Sequence, residues 1–492
     1  MSRNLSRTLG ELSRSGYRPV PVKEELRRNA IAALKSGEIL FPGIVGYEKT
    51  VAPQLVNAIL ARHDFILLGL RGQAKTRILR SLVRFLDEAV PAIEGSPLNE
   101  DPLHPVTAES KRLVQEAGDD LPIRWLTREE RYQEKLATPD VTMADLIGDI
   151  DPVKAANKRL SFGDPEVIHY GVIPRTNRGI FAINEVPDLA PRIQVGLLNI
   201  LEEGDVQIRG FPIRIPLDIL MVFSANPEDY TNRGNLITPL KDRIESQIKT
   251  HYPRTLEEAM AITAQEAYVE RDGVTVAVPP VLRELVEEMG IEARKSEYVD
   301  QSSGVSARVT ISALENLVSN AERRAHKTGE TRVVPRFADL GNVLPALTGK
   351  IELVYEGELE GTSNVARHII GKAVKSVFTR RFPEAKRMDA DRDRDDTPFQ
   401  SIIDWFSSGK TLELTDELPE ETYRASLKVV SGLADLARRL EPNDDEELAT
   451  SMELVLEGLV QYSMIAREDL DTGHASYRDV LGEMMEQLEE ER

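Results

Sequence analysis

The 492 residues contain no cysteine. Disulfides, thiolate metal ligands and a cysteine nucleophile are therefore excluded. Seven histidines are scattered without ligand spacing, so a protein-bound transition metal is not expected. No apolar run approaches the roughly 20 residues that a membrane-spanning helix requires. Basic residues are in deficit, 62 Lys and Arg against 82 Asp and Glu, for a net charge of −20. A protein that coats nucleic acid needs a concentrated basic surface, so nucleic acid is not the expected partner. The first residues, Met1 to Arg7, carry no apolar segment of the secretory kind, and a cytoplasmic location is expected. With few aromatics, 41% hydrophobic and 29% charged residues, the composition is that of a globular protein. Its length exceeds one ordinary core, which predicts two to three domains.

What is present is a phosphate-binding loop with one glycine missing. Residues 64–68 are an apolar run that predicts a buried strand. Gly69-Leu70-Arg71-Gly72-Gln73-Ala74-Lys75-Thr76 follows, and Ile78, Leu79, Leu82, Val83 and Leu86 then recur at helical spacing. In this strand–turn–helix context, backbone N–H groups would cradle the β-phosphate of a nucleotide. Lys75 would reach the β/γ oxygens and the Thr76 hydroxyl would ligate Mg²⁺. Gly69, Arg71, Gly72, Gln73, Ala74, Lys75, Thr76 and Arg77 are the expected nucleotide-binding residues of this stretch. Ala74 stands where the pattern has glycine; an alanine fits there if its φ is negative.

Residues 1–38 read as an N-terminal helical extension. The polar, proline-rich stretch 91–140 reads as an insertion. Gly179 to Glu185 and Asp218 to Ala225 predict further buried strands, the latter ending at Asn226-Pro227. Between them, alternation in Val206–Arg209 and Phe211–Ile215 around Gly210 predicts a hairpin. Strands alternating with helices predict a parallel α/β sheet over residues 39–254. From residue 255 onward the pattern is helical, with a charge-alternating linker at about 388–398.

Several short motifs occur in one order: Ile44-Val45-Gly46-Tyr47, the loop at 69–76, Arg175-Thr176-Asn177-Arg178-Gly179-Ile180-Phe181 leading to Asn184-Glu185, the 206–215 hairpin, Asn226-Pro227, Leu240-Lys241-Asp242-Arg243, and Ser306-Ala307-Arg308. On these residues the chain resembles the AAA+ ATPases. More narrowly it is similar to the helix-2-insert group that holds the magnesium-chelatase ATPase subunit and the MoxR-like proteins. The resemblance implies a P-loop NTPase core at 39–254, a helical lid at 255–350 and a helical C-terminal region at 351–492 that matches nothing nameable. It implies that Val45 and Gly46 lie against adenine, Glu185 orients the attacking water, and Asn226 helps to position it. Arg243 would reach a neighbouring subunit's nucleotide, and Arg308 would touch the γ-phosphate from the lid. Asn184 stands where the family has the aspartate that anchors Mg²⁺, so metal affinity and turnover are expected to fall. A homo-hexameric ring that uses ATP to remodel a partner with a von Willebrand factor A domain follows from the same resemblance. The alternatives are the magnesium-chelatase motor itself, a sigma-54 activator (whose Gly-Ala-Phe-Thr-Gly-Ala loop is missing here) and a non-hydrolysing nucleotide-dependent scaffold.

Overall fold

A computed structural model describes residues 5–151, 153, 167–208, 214–227, 236–386, 397–415, 417–471 and 474–480. The chain divides into two compact units, Met1–Tyr252 and Pro253–Arg492.

Five strands organise the first unit: Phe65–Leu68 (β1), Tyr132–Leu136 (β2), Gly179–Asn184 (β3), Ile219–Ala225 (β4) and Ser246–Lys249 (β5). All pair in parallel, in the order β5-β1-β4-β3-β2. Every residue of β1, β3 and β4 is buried, as continuous apolar runs in a sheet covered on both faces require. Because side chains alternate along a strand, each run feeds two cores. Phe65, Leu67, Ile180, Ala182, Leu220 and Val222 pack with residues of helices Val22–Ser36 (α1), Val51–Ala61 (α2) and Lys75–Ser81 (α3). Ile66, Phe181, Ile183, Met221 and Phe223 pack on the other face with Ile193, Leu197 and Leu240. The fold class is thus α/β, a five-stranded parallel sheet packed by helices, with further helical structure.

Two stretches set apart in the sequence belong to this core. Val22, Leu26 and Ala30 of the 1–38 stretch are buried in the same cluster as β1. Within 91–140, the last strand is β2, the sheet edge; its sequence Tyr-Gln-Glu-Lys-Leu is polar because only one neighbour, β3, pairs with it. Arg131, just ahead of β2, donates to both carboxylate oxygens of Glu25 at 2.7 and 2.6 Å, with both side chains buried. That pair fastens α1 to the sheet edge. Asp205–Gln207 pairs antiparallel with Arg214–Pro216 at the hairpin; residues 209–213 lie outside the described residues, as does most of the 388–398 stretch.

The second unit is built on Pro280–Lys295 (α4), Arg308–Thr328 (α5), Thr362–Arg381 (α6) and Asp445–Gln461 (α7). It also holds strands Leu412–Thr415 (β6), Ala466–Asp471 (β7) and His474–Arg478 (β8), an antiparallel sheet in the order β6-β8-β7 that the helical reading did not contain. One apolar cluster runs from Val281 to Tyr477, so residues on both sides of position 350 share a core. Among the described residues no helix is long and apolar enough to cross a membrane.

A polar network is buried in this core. Glu453 accepts from the Tyr423 hydroxyl and, at 2.9 Å, from the Phe337 N–H, while the Arg336 guanidinium stacks 3.8 Å from the Tyr423 ring. Burial pushes the Glu453 carboxyl up to about 8, against the pull of the Tyr423 hydroxyl and Arg336. The folded-state value lies above the ordinary 4.5, so the stability gained here is complete below that pH and is lost as pH rises toward about 8. Glu453→Gln should flatten the fall of the thermal midpoint across that window. Parallel wild-type and mutant profiles would refute this.

Candidate nucleotide site

The loop at 69–74 joins β1 to α3, at the carboxyl end of the sheet where open α/β folds place ligands. A Cβ on Gly69 would lie 1.7 Å from Thr250 Oγ1 and 2.2 Å from Gln73 Oε1, so any side chain here displaces both. Gly72 has φ +75°. Ala74, the N-cap of α3, has φ +57° and ψ +15°. The condition for a comfortable alanine is therefore not met: its Cβ sits in the left-handed region at a cost on the order of 1 kcal/mol. Ala74→Gly is expected to stabilise the first unit by about 1 kcal/mol with nucleotide affinity at least equal. Denaturant unfolding checks this, and a destabilised variant would contradict it.

Lys75 is buried, and its Nζ donates to the carbonyls of Gly69 and, at 3.2 Å, Leu70. The same nitrogen lies 3.9 Å from Glu185 Oε1. Thr76 Oγ1 donates to Asn184 Oδ1 at 3.4 Å, and Ser224 Oγ donates to that oxygen at 3.1 Å. Glu185 follows β3 with φ +55° and ψ +48°, and its N–H donates to Ser224 Oγ at 3.3 Å. Asn226 follows β4, which lies between β1 and β3 in the sheet. It is buried, and its Oδ1 has no hydrogen-bond partner among the described residues. Lys75, Thr76, Asn184, Glu185 and Asn226 are thus gathered at the carboxyl ends of three adjacent strands.

Val45 and Gly46 lead into Tyr47, whose hydroxyl lies 2.7 Å from the His251 carbonyl and 3.0 Å from the Gln73 carbonyl. Burial pushes the Tyr47 phenol up to about 12, so it remains a donor to this pair. Tyr252 donates to the Arg71 carbonyl at 3.0 Å, and Thr250 Oγ1 to Gln73 Oε1 at 2.7 Å. The segment at 44–47 and the residues after β5 are therefore pinned to the loop. Arg71 and Arg77 are exposed.

Two further sequence-predicted residues stand on helices. Arg243 ends helix Thr238–Arg243, and its guanidinium donates to Glu202 at 2.7 Å and to the Pro239 carbonyl at 3.1 Å. Arg308 opens α5 in the second unit and is exposed. The sequence reading missed Ser224, the polar side chain inside the Ile-Leu-Met-Val-Phe-Ser-Ala strand. A hydroxyl in a fully buried strand demands a partner, and that demand was the available signal.

Among the described residues no group of three or more His, Asp or Glu side chains could hold a metal. Thr76 and Asn184 offer neutral oxygens, which fit Mg²⁺ only when phosphate oxygens supply the rest of its shell. The glycine-bearing turn and the buried Lys75 fit a nucleotide phosphate chain, and the Asn226 oxygen, an acceptor without a partner among the described residues, fits a donor such as a water molecule.

No family model matches the chain. The hydrogenase transcriptional regulatory protein HoxA of Cupriavidus necator is 28% identical over 145 residues, 30% of this chain and 25% of that protein. The chain thus spans about a quarter of that relative's length. Solved structures that align with it include a candidate ATPase from Cytophaga hutchinsonii, at 17% identity over 73% of this chain and 97% of that one, with a TM-score of 0.28. The BchI–BchD complex of magnesium chelatase aligns at 19% identity over 65% of this chain and 98% of that one, with a TM-score of 0.34. NtrX from Brucella abortus in complex with ADP aligns at 14% identity over 60% and 55%, with a TM-score of 0.33. Likeness this distant identifies neither a family nor an activity.

Proposed function

We propose that the chain binds ATP with Mg²⁺ at residues 69–76 and hydrolyses it slowly, as a ring-forming AAA+ ATPase of the magnesium-chelatase subunit I/MoxR-like kind. The observation that carries this reading is the gathering of Lys75, Thr76, Asn184, Glu185 and Asn226 at the ends of β1, β3 and β4. Lys75 exchanges its two carbonyl partners for phosphate oxygens. Thr76, its proton committed to Asn184, turns its lone pairs outward. Glu185 takes a proton from the attacking water, with the Asn226 amide beside it. Mg²⁺, when bound with the phosphates, supplies neutralisation of their charge. The neutral Asn184 weakens that metal relative to a carboxylate, which is why turnover is slow.

A homo-hexameric ring, a cytoplasmic location and a partner with a von Willebrand factor A domain complete the proposal and rest on motif resemblance alone. Asn184 favours a second reading, a scaffold that binds nucleotide without turning it over. Equilibrium ATP binding and steady-state hydrolysis separate the two, with Asn184→Asp as the comparison. Binding with slow turnover, raised on the order of 10-fold by the aspartate, is the expected result. Tight binding without turnover in either protein, rings included, favours the scaffold. Absence of ATP binding overturns both.

A further inference from the structure

Ser224 has no part in the proposed chemistry, yet one hydroxyl joins its two neighbouring residues. The side chain is fully buried in β4, paired in register with Leu67 of β1. It donates its single proton to Asn184 Oδ1 at 3.1 Å and accepts the Glu185 N–H at 3.3 Å. A serine hydroxyl has one proton and two lone pairs, so both contacts are made at once without conflict. Each contact fixes something that the local chain does not. The Asn184 side chain is held from two sides, its oxygen accepting from the hydroxyls of Ser224 and, on α3, Thr76. The backbone of Glu185 stands at φ +55°, a left-handed conformation that a non-glycine residue keeps only where its surroundings offset the cost. The bond from its N–H is one such restraint, and Val186, buried and next in the chain, is another.

Resting on the ATPase reading above, we propose that Ser224 is a positioning residue for hydrolysis: its hydroxyl sets the Asn184 oxygen and the Glu185 backbone in register with Lys75 and Thr76. It touches neither nucleotide nor water. Its effect runs through Asn184, toward Mg²⁺, and through Glu185, toward the attacking water. A purely structural serine would contribute to stability alone, and its replacement would leave the chemistry unchanged.

The test compares wild type, Ser224→Ala, Ser224→Thr and the double variant Ser224→Ala/Glu185→Gln in the full chain. Hydrolysis is measured over ATP and Mg²⁺ concentration, together with ATP binding with and without Mg²⁺ and the thermal midpoint. Outer groups that orient a site's ligands typically change metal affinity or activity on the order of 10- to 100-fold. We expect Ser224→Ala to lower kcat by about that factor, with KM for ATP within about twofold and a higher Mg²⁺ requirement. Threonine, which keeps the hydroxyl, should restore most of the rate. Adding Ser224→Ala to Glu185→Gln should lower kcat by less than it does in the wild type, because both act on one group. Should the wild type bind ATP without turnover, the hydrolytic reading fails. The Mg²⁺ dependence of ATP binding then decides for Ser224: a loss in the alanine variant retains its hold on Asn184, and an unchanged dependence overturns it. A hydrolysing wild type matched by Ser224→Ala in kcat and Mg²⁺ requirement overturns the inference and leaves the ATPase reading standing. An alanine variant that merely melts earlier, with unchanged kinetics, does the same. A chain that binds no ATP overturns both.

Discussion

Arg243→Ala is expected to reduce ATP turnover in assembled rings on the order of 10³-fold while leaving ATP binding intact. An arginine donated to a neighbour's nucleotide neutralises charge that develops only in the transition state, and such arginines contribute 10³ to 10⁵ in rate by typical estimates. Within one chain the guanidinium is held by Glu202 at 2.7 Å and by the Pro239 carbonyl. That arrangement also describes an ordinary surface ion pair, whose loss changes stability by about 1 kcal/mol or less and leaves the rate alone. Glu202→Ala tells the two apart. If Arg243 serves the neighbour's nucleotide, the glutamate variant keeps its turnover and the arginine variant loses it. If the pair is only a surface contact, both variants behave alike, and the trans-acting role is lost.

The second large effect is at Glu185. Glu185→Gln should lower the maximal rate on the order of 10²- to 10⁴-fold, the usual contribution of a positioned proton acceptor. Affinity for ATP should hold or improve, because the amide is nearly isosteric and removes a negative charge lying 3.9 Å from the Lys75 ammonium. Single-turnover hydrolysis and direct ATP binding supply the two numbers. A variant with a wild-type rate would transfer the proton-accepting role elsewhere and leave Glu185 as a carboxylate that merely neutralises Lys75.

Much of the core was legible because burial on both faces leaves a coarse signature. Phe-Ile-Leu-Leu, Gly-Ile-Phe-Ala-Ile and Ile-Leu-Met-Val-Phe are short runs without a polar residue, the pattern of strands inside a covered sheet, and all three are strands. The edge strand β2 carries no such signature. One neighbour and partial exposure admit glutamine, glutamate and lysine, so its sequence looks like loop. The small antiparallel sheet of the second unit hid for a similar reason: Leu412 and Leu414 are buried, Glu413 between them is exposed, and four residues are too few for a pattern. Of the site, residue types and order were readable, whereas backbone conformation was not. The positive φ of Ala74 and of Glu185 is imposed by the turns that meet there, and no side-chain type announces it. The pairing of Arg243 with Glu202 joins residues 41 apart and depends on two helices whose meeting only the fold decides.

Tyr252 is the last residue of the first unit, and its hydroxyl is bonded to the carbonyl of Arg71 inside the phosphate loop. The covalent thread to the second unit therefore leaves from a point already tied to that loop, without passing back through the sheet. The Arg71 carbonyl is thus one hydrogen bond, one side chain and one peptide link away from residue 253, the first of the second unit.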